Sequence, residues 1–193
     1  ADYLRLVCDE MLPRVAEGGL ARYCDAFTEA HTFDLDDTRR LFGRARELGL
    51  GLRLHADQLS GSGGAELAAE LGAASADHLE HVSEAGIAAL ARAGVIPVLC
   101  PVVPLYLRQE REAPARRMIE AGLAPALSTD FNPGSCYLQS LPTALAFGAL
   151  RYRMSAAECL TAATLNPACS LGLPTLRAET AAVAVTALLL LQS

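Results

Sequence analysis

The strongest constraint on the fold of this chain is a repeated alternation. A short apolar run ends in a polar or chemically special residue, a glycine-rich or acidic turn follows, and an amphipathic helix comes next. Residues 23–29, 50–56, 75–81, 94–101 and 123–130 read as strands. Between them, DDTRRLFGRARELG sets Leu41, Phe42, Ala45 and Leu48 on one helical face and stops at Gly49. GGAELAAELG places Leu67 and Leu71 four apart. SEAGIAALARAG opens on a capping Ser83 and closes at Gly94. PARRMIEAG begins with Pro114, and SAAECLTAATLNPA has Ser155 and Glu158 at capping-box spacing.

Strands that alternate with helices pair in parallel, because a helical crossover returns the chain to the same end of the sheet. The unit length of about 25 residues is that of a (β/α) barrel with eight units in about 250 residues. Five units are too few to close one. The repeat by itself therefore predicts an α/β fold with parallel strands, either a smaller open sheet or a fragment of a barrel. Near the end, the apolar run 181–192 reads as a buried strand or helix. It is too short for a membrane span, which needs about 20 residues. The opening ADYLRLVCDEML reads as the middle of a helix, so the chain is expected to begin inside a larger protein.

Composition narrows the partners. The chain has 193 residues, 52% of them hydrophobic and 20% charged, enough to bury a sizeable core. A net charge of -6 without a basic run argues against nucleic acid, whose phosphates need clustered Lys or Arg. The six cysteines are scattered, with no CxxC pair, and read as reduced thiols in a cytoplasmic protein. No GxGxxG or P-loop follows any strand.

In such folds the site lies at the carboxyl ends of the strands. Those ends carry Glu29, His55, His78, Cys100 and Asp130. Two imidazoles and two carboxylates on one rim suit zinc or ferrous iron, and with it metal-assisted hydrolysis. Taken singly, each residue has a plainer reading. His55 or His78 alone reads as a half-buried, hydrogen-bonded histidine, and Glu29 as a solvated acid. Asp130 before FNPGS reads as a turn cap, and Cys100 as a packed thiol. Asp57 and Asp77 read as structural, capping a loop or orienting a neighbour. His31 and His81 fall on the surface or in loops. The joint pattern favours a site.

The segments HADQ, SADHLE and TDFNPGS, in combination, resemble the imidazolonepropionase family of metal-dependent amidohydrolases, from near Ala1 to about Leu173. The resemblance implies an α/β fold, a partial (β/α)8 TIM barrel of about five βα units with parallel strands over residues 1–173, with 174–193 a divergent apolar tail. It also implies a hydrolase acting on a C–N bond in histidine catabolism. Its reaction opens the ring of 4-imidazolone-5-propanoate to N-formimidoyl-L-glutamate. It implies one ion, Zn2+ or Fe2+/Fe3+, with His55 and Asp130 as ligands. Asp130 would also accept a proton from the attacking water, and His78 would polarise or protonate the ring. Gln58, Asn132, Gly134 and Ser135, with His78, would hold the substrate. The partner is then a small molecule, with no nucleic acid and no membrane, and a homodimer stays open.

This sequence also departs from the family pattern. No HxH pair occurs in it, although the superfamily's first strand supplies one to the metal. It resembles the carboxyl-terminal half of the enzyme, so with two metal ligands the chain by itself is expected to turn over weakly or not at all. Two alternatives remain at this level: another cyclic-amide or deaminating amidohydrolase, and a non-catalytic half-barrel fragment.

Overall fold

The computed structural model describes residues 2–173. The tail expected over 174–193 lies outside the described residues. Contacts divide the chain into two compact units, Ala1–Val95 and Ile96–Ser193.

The first unit opens with a helix, as the sequence suggests: α1 (Asp2–Leu6), a π-helical stretch (Val7–Met11) and α2 (Leu12–Glu17). Then β1 (Tyr23–Thr28), α3 (Leu35–Glu47), β2 (Gly51–Ala56), α4 (Gly64–Glu70), β3 (Ser75–His78) and α5 (Glu84–Ala93) alternate. β1 pairs with β2 and β2 with β3, both in parallel, with Phe27 opposite His55, His55 opposite Asp77, and Ala56 opposite His78. Burial alternates along β1 and β2. Cys24, Ala26, Leu52, Leu54 and Ala56 form the buried set, while Asp25, Phe27, Arg53 and His55 share the other face. Phe42 of α3, Leu54 of β2 and Leu67 of α4 are almost wholly buried. Each contributes about 2–3 kcal/mol of apolar burial.

Local signals delimit these helices, and at α5 they are the expected ones. The Asp34 carboxylate accepts from the backbone N–H groups of Asp36 and Asp37 at the start of α3. Ser83 Oγ accepts from Gly86 N–H at 2.8 Å, and Gly94 closes α5 with a φ of 70°.

α4 approaches the end of β2 closely. A Cβ on Gly64 would meet Ala56 Cβ at 2.8 Å and Ala56 Cα at 3.2 Å. Gly64→Ala must push the helix away from the strand that ends in the HADQ segment. The expected cost is about 1–3 kcal/mol. Equilibrium urea unfolding reads it directly, and a variant as stable as the wild type would contradict this packing.

The second unit contains β4 (Ile96–Leu99), α6 (Val103–Tyr106), α7 (Ala115–Glu120), β5 (Ala126–Leu127), α8 (Leu141–Arg151), α9 (Ala156–Ala163) and α10 (Leu165–Ser170). β4 and β5 are parallel, with Val98 opposite Ala126. Cys100, Val102, Val103 and Cys136 form a buried cluster, against which Leu138 and Phe147 pack. α9 starts on the expected capping box, in which Ser155 N–H donates to Glu158 Oε2 at 2.7 Å. The Arg116 guanidinium grips the Glu158 carboxylate with bonds of 2.7 and 3.0 Å and, together with Ser155, lowers its pKa to about 2.

Three strands are shorter than the sequence suggests. The run 75–81 leaves the sheet after His78, because His78 and Leu79 both take left-handed backbone (φ 76° and 70°). Bonds from Leu79 N–H to Ala56 O and from His81 N–H to Asp57 O fix that turn. β4 is confined to Ile96–Leu99 within 94–101. In 123–130, Leu123 N–H still closes α7 onto Met118 O, leaving only Ala126 and Leu127 as strand. All six cysteines are free thiols, five of them buried. Among the described residues no helix is long and apolar enough to cross a membrane.

Candidate active site

Three of the expected site residues lie in the first unit: His55 near the end of β2, Gln58 two residues beyond that strand, and His78 as the last residue of β3. Strict alternation would turn His78 toward the helices with its partner Ala56. The left-handed turn at His78 instead brings its ring to 5.2 Å, centroid to centroid, from that of His55. Backbone of this kind in a non-glycine residue costs about 1–3 kcal/mol and collects at functional sites. Asp57, directly after β2, is also left-handed (φ 50°).

The two imidazoles sit in different surroundings. His55 is half-buried, its ring edge-on to Phe27 at 6.2 Å, and its Nδ1 lies 2.9 Å from Asp25 Oδ1. His78 is 2% exposed. Burial, and then the nearby His55, lowers its pKa to about 3, so it is a neutral imidazole at neutral pH. Next to it, burial raises the pKa of Asp77 to about 6. Asp25, His55 and Asp77 each offer a ligand atom within 4.8 Å of the others.

Two buried carboxylates shape the loops around this pair. Glu29, expected to be solvated if it had no role, is 1% exposed. It accepts from the backbone N–H groups of Leu59 at 2.8 Å and Ser60 at 3.3 Å, and so anchors the segment directly after Gln58. Asp57 accepts from the N–H groups of Ser62, Gly63, Gly64 and Ala65 at 2.9 to 3.1 Å. This is the loop-capping role its sequence context suggested.

The remaining expected residues belong to the second unit, just after β5. Asp130 has a φ of 50°, and its N–H donates to Ser128 Oγ at 3.2 Å. Asn132 binds its own loop: Nδ2 donates to Asp130 O and Ser135 Oγ, while Oδ1 accepts from Gly134 N–H and Ser135 N–H, all at 2.7 to 2.8 Å. Ser135 Oγ donates to Asp130 Oδ2 at 3.3 Å. The structure thus gathers Asp130, Asn132, Gly134 and Ser135 into one self-bonded turn. Asn132 acts on the shape of that turn, a function that the turn-forming sequence DFNPGS makes legible.

Sequence reasoning did not single out Asp25. The one available signal was its period-two spacing to Phe27; its nearness to His55 depends on strand register, a long-range property.

A parallel α/β scaffold with imidazoles and carboxylates at its strand ends is the architecture of a barrel-type enzyme. The comparisons make this specific. The amidohydrolase family model matches residues 19–177, most of the chain, and the chain belongs to that family. It is 52% identical over 171 residues to the imidazolonepropionase of Solibacter usitatus and 51% identical over 172 residues to that of Myxococcus xanthus. Each alignment covers 89% of this chain but only 41% of the relative.

Solved structures agree on the fold. A 5-methylcytosine deaminase from Klebsiella pneumoniae is 17% identical and superposes with a TM-score of 0.70, covering 84% of this chain and 48% of that one. An adenosine deaminase from Xanthomonas campestris with bound zinc is 23% identical, with a TM-score of 0.60 over 74% of this chain and 37% of that one. The fold is α/β, a partial (β/α)8 barrel of the amidohydrolase type.

The first-unit residues fit a metal ion. Asp25, His55 and Asp77 offer ligand atoms within 4.8 Å of one another, and Asp77 Oδ1 is buried without a hydrogen-bond partner. Buried donor atoms of this kind are costly unless an ion, ligand or water satisfies them.

Proposed function

We propose that the chain carries part of the active site of a metal-dependent hydrolase that opens the ring of 4-imidazolone-5-propanoate to N-formimidoyl-L-glutamate, a step of histidine catabolism. The observation that carries this reading is the imidazole pair, His55 half-open and His78 buried and neutral at adjoining strand ends, in a chain half identical to imidazolonepropionases.

In this reading His55 and Asp130 are ligands of one zinc or iron ion. When bound, the ion supplies Lewis acidity and makes water a nucleophile near neutral pH. The chain's own residues do the rest. Asp130 takes the proton of the attacking water and returns it to the leaving ring nitrogen. His78, held neutral by burial, donates a hydrogen bond to the ring as charge develops there. Gln58 addresses the ring from a segment anchored by Glu29. Gly134 and Ser135 hold polar substrate atoms, with Asn132 fixing their turn.

Since the chain spans 41% of these relatives, the test uses a graft. The 171 matching residues replace their counterpart in the Solibacter usitatus relative. The hybrid is expected to open the imidazolone ring, and His55→Ala or Asp130→Ala within it to lower turnover about a hundredfold or more. An active hybrid indifferent to both substitutions sinks the assignment. A hybrid that prefers hydantoin-like or guanine-like rings moves the function to another cyclic-amide or deaminating amidohydrolase.

A further inference from the structure

We infer that Asp25 is the positioning residue for His55: it holds the imidazole in one tautomer and one orientation, so that Nε2 is the nitrogen presented to a metal. This rests on the reading of His55 as a metal ligand given above. Asp25 lies in the middle of β1, away from the strand ends where functional groups of such folds collect.

The geometry follows from register. Phe27 is the β1 partner of His55, and Asp25 stands two residues before it on the same face of the sheet. From there its Oδ1 reaches His55 Nδ1 at 2.9 Å, a full hydrogen bond. An ionised carboxylate only accepts hydrogen bonds, so the shared proton resides on Nδ1. Nε2 then carries the ring's lone pair, the form a metal requires. Neighbouring rings restrain His55 further, with Phe27 edge-on at 6.2 Å and His78 at 5.2 Å. Arg53, the register partner of Asp25, has its guanidinium 5.6 Å over the Tyr23 ring. Asp77, opposite His55 in β3, completes the polar groups on this face. A carboxylate behind a ligand histidine raises ligand basicity and fixes ring direction, and its loss typically costs 10- to 100-fold in metal affinity.

The test uses the full chain, labelled with nitrogen-15 in its histidines, freed of metal with EDTA and held near neutral pH. Long-range proton–nitrogen correlation spectra read the tautomer of each ring. Wild-type His55 is expected as the Nδ1–H form. Asp25→Ala should lose that form, and Asp25→Glu should restore at least part of it. Zinc alone is then titrated, and Asp25→Ala should weaken the response at His55 Nε2 about tenfold or more.

An unchanged His55 tautomer in both Asp25→Ala and the bulkier Asp25→Leu overturns the proposal. The His31, His78 and His81 signals report in the same spectra that each variant is folded, and the Asp25 side chain, 39% exposed, leaves room for truncation. His55→Ala separates the two claims. If it binds zinc as well as the wild type does, the metal reading of His55 fails, while the metal-free spectra still decide what Asp25 does.

Discussion

Asp57→Ala is expected to remove about 3–5 kcal/mol of stability, because several backbone N–H groups lose their acceptor at once. Asp57 is 1% exposed, and its carboxylate accepts from four successive backbone N–H groups, Ser62 through Ala65, and from the Ser62 hydroxyl. Alanine leaves the N–H groups of Gly63, Gly64 and Ala65 without this acceptor, while Ser62 N–H keeps Ser60 O at 3.1 Å, and each buried donor left without an acceptor costs about 1–3 kcal/mol. Water entering the loop recovers part of that, so the sum is not reached. Alanine must also adopt the left-handed φ of 50° at this position, which aspartate and asparagine tolerate better. Asp57→Asn keeps one acceptor oxygen and the backbone preference, and should lose about half as much. Urea unfolding of both variants measures the difference. A loss below about 1 kcal/mol for alanine would mean that the loop does not depend on this carboxylate. The consequence reaches the site, because the same loop starts α4, and α4 abuts the end of β2 at Ala56, next to His55.

What could be read from the sequence divides along a physical line. Features set by a few neighbouring residues were legible. β1 and β2 fall within a residue of the expected runs, and the Ser83 cap, the Gly94 stop and the Ser155–Glu158 box all form. Features set by distant partners were not. The run 75–81 has strand-like composition throughout, yet it turns at His78 because Ala56 O and Asp57 O, some twenty residues earlier in the chain, capture Leu79 and His81 N–H. Histidines at strand ends stood out because the chain has only four. Asp25 did not stand out, since nothing within YCDAFT says which residue of another strand it will face. Glu29 was misread in its plainer sense for the same reason: its partners, Leu59 and Ser60, lie thirty residues away.

The adjacent pair Asp77 and His78 should give substitutions with opposite pH responses. The folded protein lowers the pKa of His78 from 6.5 to about 3. Below 6.5 the unfolded chain binds a proton there that the folded chain refuses, so this residue's contribution is complete above 6.5 and is lost as pH falls toward 3. Asp77 does the reverse. Burial raises its pKa from 3.8 to about 6, so the folded chain binds the extra proton, and its contribution, complete below 3.8, is lost as pH rises through 6. Between about pH 6 and pH 4 one site's proton uptake on folding offsets the other's release, and the pair together contributes little slope. Breaking the pair exposes each half. Measured against the wild type in EDTA, Asp77→Asn should lose about 3 kcal/mol over that interval as the medium is acidified, and His78→Gln should gain about as much. The main cause of both shifts is desolvation, and neither residue acts on the other's shift, so each variant leaves the remaining shift in place. Urea midpoints across the interval read both slopes. Equal slopes in the two variants would show that these side chains are not buried as a pair of opposite proton preference, and would remove the basis for treating His78 as the neutral imidazole of the site.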